Sequence, residues 1–197
     1  MANNVQQKQS SGGQIIKLAL VLLAVAAIIA LVLGFVNSIT EGPIAAYNQN
    51  KTEEAYANVL KAASYEKVDP AKYKAANGEN TITLLQEAKD ENGNVVGYVA
   101  ETEFSGAQGM ITMVIGLDAD MNCTGIYVTK HSETSGLGAK AAETSEGAWR
   151  DNLVGQGDGL QLKKNGGTVE AISGATITST AVVKEVQTVI NAVKELG

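Results

Sequence analysis

The sequence predicts an α+β domain, a mainly antiparallel sheet with packed helices, preceded by a single N-terminal transmembrane helix. Three observations carry that prediction. An uncharged apolar run extends from Leu18 to Val36. From residue 81 the hydrophobic period becomes two, broken by turns rich in Asp, Asn and Gly. The chain then closes on Val182, Val186, Val189, Val193 and Leu196, a three- and four-residue spacing that belongs to a helix with one buried face.

In chain order, residues 1–14 are polar and rich in Ser, Gln and Asn, the composition of a short disordered tail. Residues 15–37 form the membrane span. The run is too long, and continues too far through Leu31, Val32, Leu33, Phe35 and Val36, for the short apolar region of a cleaved signal peptide. Lys8 and Lys17 precede it while Glu41, Glu53 and Glu54 follow, so the positive-inside rule leaves the N-terminus cytoplasmic and everything after residue 37 outside. Residues 38–75 read as a membrane-proximal helical connector. Gly42-Pro43 marks a break, and Ala45, Ala46, Tyr47, Ala55, Tyr56, Val59, Leu60 and Ala63 then suggest a helix.

Residues 76–197 are the extracytoplasmic domain. Strands are expected at Thr81 to Glu87 and Val95 to Thr102 around the turn Asp90 to Asn94, and at Met110 to Leu117 and Cys123 to Lys130 around Asp118 to Asn122. A Gly-rich loop at residues 131–140, a helix near Ser145 to Leu153, a Gly-rich loop at 155–159, a turn at Asn165-Gly166-Gly167, a last short strand and the C-terminal helix complete the order.

Composition bounds the chemistry. The 197 residues suffice for one domain and an anchor. Two of the 15 basic residues precede the external part, leaving 13 against 21 acidic ones, a net charge of −8 that argues against nucleic acid and anionic lipid as partners. One cysteine and one histidine cannot hold an iron–sulfur cluster, a zinc ion or a bis-histidine haem, so no metal site is expected. Asp118, Asp120 and Asn122 have the opening spacing of a calcium loop, but Cys123 and Thr129 stand where that loop needs Gly and Glu, and a hairpin turn is expected. His131 and Glu133 could act as an acid/base pair, yet no nucleophile or oxyanion arrangement accompanies them. Trp149 reads as core or interface, or as a stacking partner for an aromatic ligand.

The segment with most chemical content is Glu170-Ala171-Ile172-Ser173-Gly174-Ala175-Thr176-Ile177-Thr178-Ser179-Thr180. A short apolar strand runs there into a small, hydroxyl-rich turn at a helix mouth. Gly174 and Ala175 allow close backbone approach, Thr178, Ser179 and Thr180 offer N-cap hydroxyls, and the first helical turn leaves amide donors unpaired, which suits a phosphate. From residue types alone an ordinary strand-to-helix turn remains open.

Ser173 to Ser179 resembles the flavinylation motif of the bacterial FMN-binding domain family, and His131-Ser132-Glu133-Thr134-Ser135-Gly136-Leu137-Gly138-Ala139-Lys140 resembles the loop upstream of that motif. The anchor and the Thr40 to Ile44 exit extend the likeness over most of the chain, in particular to the G subunit of Rnf-type electron-transport complexes, with the C subunit of the sodium-pumping NADH:quinone oxidoreductases as a longer relative. Two positions depart from the family pattern. Glu170 stands where Asp is usual, and Ser135 where Pro is usual.

The resemblance implies FMN bound covalently through its phosphate to the Thr176 hydroxyl. It places Ser173, Gly174, Ala175 and Thr178 around the attachment point, and Glu133, Thr134, Leu137, Gly138 and Lys140 in a loop that packs on the flavin. It further implies an electron-carrying subunit of a complex that couples ferredoxin and NAD to Na+ or H+ translocation in the bacterial inner membrane. The other membrane subunits would be its partners, and a flavin transferase would mature it. The alternatives are a sodium-pump relay, a stand-alone extracytoplasmic flavoprotein, or an anchored, non-redox module that binds a phosphate ligand reversibly.

Overall fold

The computed structural model describes residues 11–196, and within them the side chains of residues 11, 12, 43–50 and 53 lie outside the description. The first ten residues of the expected polar tail therefore fall outside it as well. The chain divides into two compact units, one up to Tyr47 and one from Asn48 onward.

In the first unit a helix, α1, runs through the apolar segment; its full extent is Ser11–Val59. The 30 residues Gly13–Gly42 are long and apolar enough to cross a membrane, and none of their side chains that are described is buried. At about 1.5 Å rise per residue they reach roughly 45 Å, more than the ~30 Å hydrocarbon thickness. The break expected at Gly42-Pro43 is absent, since α1 continues through both residues. Proline removes one amide donor and disfavours α geometry in the residue before it mainly through that residue's Cβ, and Gly42 has none.

The second unit is built on a five-stranded antiparallel sheet in the order β1-β2-β3-β4-β5. The strands are β1 (Ser64–Lys67), β2 (Ile82–Lys89), β3 (Val95–Ser105), β4 (Met110–Asp118) and β5 (Cys123–Lys130). Four of them fall where the alternating pattern places them. β1 was not expected: it lies in the segment read as helical connector and pairs Ser64 with Lys89 through Lys67 with Gln86. Both long hairpins use one turn device. Asp90 Oδ1 accepts the amides of Asn92 and Asn94, each at 2.8 Å, and Asp118 Oδ1 accepts those of Asp120 and Asn122 at 2.9 and 2.8 Å. The calcium-like spacing at Asp118 is thus a turn, as expected.

Period-two alternation divides the sheet into two apolar faces. Ala100, Met113, Ile115, Leu117 and Ile126 face the C-terminal helix and form the main core with Val182, Val186, Val189, Ile190 and Val193. Val99, Val114 and Tyr127 face the other way, under Ala55 and Val59 of α1. The Tyr56 hydroxyl donates to Glu101 Oε1 at 2.5 Å and lies 2.6 Å from the side-chain amide of Gln86, so the end of α1 is bonded to the sheet as well as packed on it.

Two expected elements differ. The helix near Ser145 to Leu153 is only a 3-10 helix, Trp149–Leu153, because Gly147 takes a left-handed φ of 76° just before it. The last short strand is not formed: Val169 makes a single parallel bridge to Leu162 and the chain stays extended without a ladder. The C-terminal helix, α2, spans Thr176–Lys194.

Candidate functional site

The turn into α2 is fixed from within. The Ile172 amide donates to Ser179 Oγ (2.9 Å), and that hydroxyl donates to the Ala175 carbonyl (2.9 Å), so Ser179 clasps the turn it follows. Gly174 adopts φ 76°, and a Cβ there would stand 3.0 Å from Leu137 Cδ2. Leu137 therefore leans over the turn while remaining 42% exposed.

α2 begins at Thr176 with Ala175 as N-cap, and no side chain caps it. This corrects the expectation that Thr178, Ser179 and Thr180 supply N-cap hydroxyls. All three are inside the helix, and Thr180 donates to the Thr176 carbonyl at 2.7 Å. What the expectation required is nevertheless present: the first-turn amides have no side-chain cap, and the Thr176 side chain at their mouth is exposed.

The upstream loop is held to α2 by one buried carboxylate. Glu133, 8% exposed, accepts the Gln108 amide at Oε1 (3.0 Å) and the Thr178 hydroxyl at Oε2 (2.5 Å), and Thr178 is fully buried. Its walls are glycines: a Cβ on Gly106 would collide with Oε1, and one on Gly138 with Oε2, the latter also standing 2.8 Å from Thr178 Oγ1. Gly138 is thus a packing requirement of Glu133. Thr134 is exposed, and its carbonyl accepts the amides of Leu137 (3.1 Å) and Ala139 (3.2 Å), which closes the loop.

Beside the turn lies a cleft of about 360 Å³, bordered by Lys140, Trp149, Asn152, Lys163 and Ser173. That volume is within the range of small-molecule sites. Trp149 is half-buried, and its Nε1 donates to the Glu170 carbonyl at 2.6 Å, which fixes the indole in the wall. The Glu170 carboxylate faces Lys163 at 2.5 Å, and this partner holds its pKa below the ordinary value. On the other side, Thr176 borders a depression of about 320 Å³ with Lys164, Ile177 and Lys184.

The structure thus brings Ser173, Gly174, Ala175 and Leu137 together at the turn. It buries Glu133, Gly138 and Thr178 together as a clip beneath it, leaves Thr134 in the exposed loop, and places Lys140 in the cleft wall. Sequence reasoning missed Gln108, whose amide completes the Glu133 clip, and the lysines Lys163, Lys164 and Lys184 around the turn. Gly106 and Gly109 bracketing Gln108 were the only available signal for the first. The others come together by folding alone.

An exposed hydroxyl on an uncapped helix mouth, with lysines on both sides and a cleft alongside, defines a domain suited to hold an organic phosphate. The donor set fits FMN: amides and ammonium groups for its phosphate, and Leu137 and Trp149 as apolar surface for its ring. Residues 106–191 match the family model described as the FMN-binding domain.

The chain is 35% identical to the G subunit of the ion-translocating oxidoreductase complex of Methanosarcina acetivorans, over 93% of this chain and 97% of that protein. It is 33% identical to the G subunit of the Na(+)-translocating ferredoxin:NAD(+) oxidoreductase complex of Acetobacterium woodii, over 93% of each. With the G subunit of the Escherichia coli O157:H7 complex it shares 31% identity over 78% of this chain and 70% of that one. The protein belongs to the family of G subunits of ion-translocating oxidoreductase complexes.

Proposed function

We propose that this chain is the electron-carrying G subunit of a membrane-bound, Rnf-type ion-translocating complex and holds FMN covalently through a phosphoester to Thr176. The observation that carries the reading is the exposed Thr176 side chain at the uncapped first turn of α2, inside the Ser-Gly-Ala-Thr turn. When bound, FMN supplies one- and two-electron transfer at a potential set by its surroundings. Gly174 keeps the turn narrow under Leu137, the first-turn amides and the neighbouring Lys140 and Lys164 offset phosphate charge, and the Glu133 clip holds the loop against the helix.

Attachment requires a donor. With FAD and a dedicated transferase, Thr176 Oγ1 forms a bond to the flavin-side phosphorus, the bond to the AMP moiety breaks, and the hydroxyl proton is released. No dinucleotide fingerprint or cysteine cluster is present in the sequence, and the one thiol, Cys123, is buried with its pKa pushed up to about 12. The chain is accordingly a relay. Electrons exchanged between ferredoxin and NAD, the substrates in the name of the Acetobacterium woodii relative, would enter and leave the complex on other subunits. Its neighbours are those membrane subunits, and the charge bias around α1 supports a cytoplasmic N-terminus with the domain outside, at the inner membrane.

The test is the intact mass of protein purified from membranes of cells with an active flavin transferase, followed by mapping of the peptide that spans Gly166 to Lys184. A gain of one FMN less one water on Thr176, absent from Thr176→Ala, is expected. An unmodified mass overturns the covalent relay and favours reversible binding of a phosphate ligand.

A further inference from the structure

Away from the turn into α2, one buried acid has an oxygen left without a partner. Glu185, on α2, is 4% exposed. Its Oε1 is the one buried side-chain oxygen or nitrogen among the described residues that makes no hydrogen bond. The side chain borders a cleft of about 390 Å³ where α2 meets β3 and residues 79–81.

The charged groups that face it can be named element by element. Glu79 comes from the segment before β2, Glu103 from β3, and Lys184 from α2 itself; Thr81, Ser105 and Met110 complete the polar and thioether wall. Lys184 does not neutralise Glu185, because its ammonium is turned to Glu79 at 2.7 Å. An ionised Glu185 would therefore be cut off from water, without a cation of its own, in a cleft that already contains two acids.

We propose that Glu185 is a proton-binding site in the seam between α2 and β3, that it carries its proton while the seam is closed at mildly acidic pH, and that loss of the proton as pH rises loosens the seam. The inference does not depend on the flavin reading, although the two share a helix: Thr176 stands nine residues before Glu185, roughly 13 Å along the axis.

Burial pushes the Glu185 carboxyl up to about 7; a hydrogen bond from Thr81 and the Lys184 charge pull against this, and the Glu79 charge adds to it. Its ordinary value is 4.5, so between about 4.5 and about 7 the folded chain holds a proton that the unfolded chain has released. Stability contributed by this group is therefore present at the acid end of that window and lost as pH rises through it.

The experiment is a carbon-13 NMR titration of the glutamate side-chain carboxyls in the full-length protein in micelles, with Glu185→Gln for assignment, alongside thermal unfolding at about pH 5 and about pH 8. A resonance with a midpoint near 7, missing from Glu185→Gln, is expected, together with a smaller drop in Tm between the two pH values in the variant. Glu79→Gln removes a facing acid and frees Lys184, and should lower the Glu185 midpoint. This keeps the test open if Glu185→Gln does not fold. A Glu185 midpoint in the ordinary carboxylate range, an equal drop in Tm for Glu185→Gln and the parent, or a midpoint that Glu79→Gln leaves in place or raises overturns the proposal.

Discussion

Replacing Glu133 with alanine should destabilise the domain more than any single change in the exposed part of the loop at residues 131–140. The carboxylate accepts two hydrogen bonds, from the Gln108 amide at 3.0 Å, part-buried, and from the Thr178 hydroxyl at 2.5 Å, buried. Hydrogen bonds to a charged group contribute about 1.5–3 kcal/mol each. Thr178 recovers part of its loss by turning its hydroxyl to a carbonyl one turn back, whereas the amide of the exposed Gln108 can turn only to water. The net cost works out at about 2–4 kcal/mol.

Glu133→Gln keeps an oxygen for Gln108 and offers an amide that Thr178 can accept from, so about 1 kcal/mol is lost. Urea unfolding of the full-length protein, followed through the fluorescence of its one tryptophan, Trp149, separates the two variants. With a slope of about 2 kcal/mol/M the alanine variant should shift the midpoint by roughly 1–2 M and the glutamine variant by about 0.5 M. Equal shifts for the two, or an alanine shift under about 0.3 M, would refute the assignment of Glu133 as the clip between loop and helix.

Three further outcomes follow from the same geometry. Gly138→Ala forces a Cβ into Glu133 Oε2 and to 2.8 Å from Thr178 Oγ1; it should cost about 1–3 kcal/mol in urea unfolding, and pairing it with Glu133→Ala should give less than the sum of the two because they share the same space. Tyr56→Phe removes the hydroxyl that meets Glu101 and Gln86, and a loss of about 1–2 kcal/mol is expected, read from the same unfolding curves. Thr176→Ala, at an exposed position, should leave stability within about 0.5 kcal/mol while abolishing flavin that survives denaturation, so that the cofactor and folding roles of the turn separate in one variant.

Local signals explain why much of the architecture was legible. Asp90 and Asp118 fold their own turns through side-chain bonds to residues two and four positions on, and the strands beside them alternate because one face of each must meet α2. Such elements are written within about ten residues of sequence and read correctly from it. The anchor and α2 are legible for the same reason, since apolar length and periodicity are properties of the segment itself.

The sequence by itself thus determined the class of the domain, its membrane helix, its two hairpins and the threonine at the helix mouth. Tertiary structure decided the rest. Ser64–Lys67 is a strand only because β2 offers it an edge, and residues near Val169 are not one because only Leu162 is there to pair with. Glu133 meets Thr178 from 45 positions away, and Lys163 and Lys164 reach the turn from one short helical turn while Lys184 comes from α2, so neither arrangement is local in the sequence. Glu185 sits on α2 as any surface glutamate would by sequence; only the packing of β3 and residues 79–81 against it turns a solvated charge into a buried acid with an unbonded oxygen. Desolvation depends on what surrounds a group in three dimensions, and the one-dimensional chain does not record it.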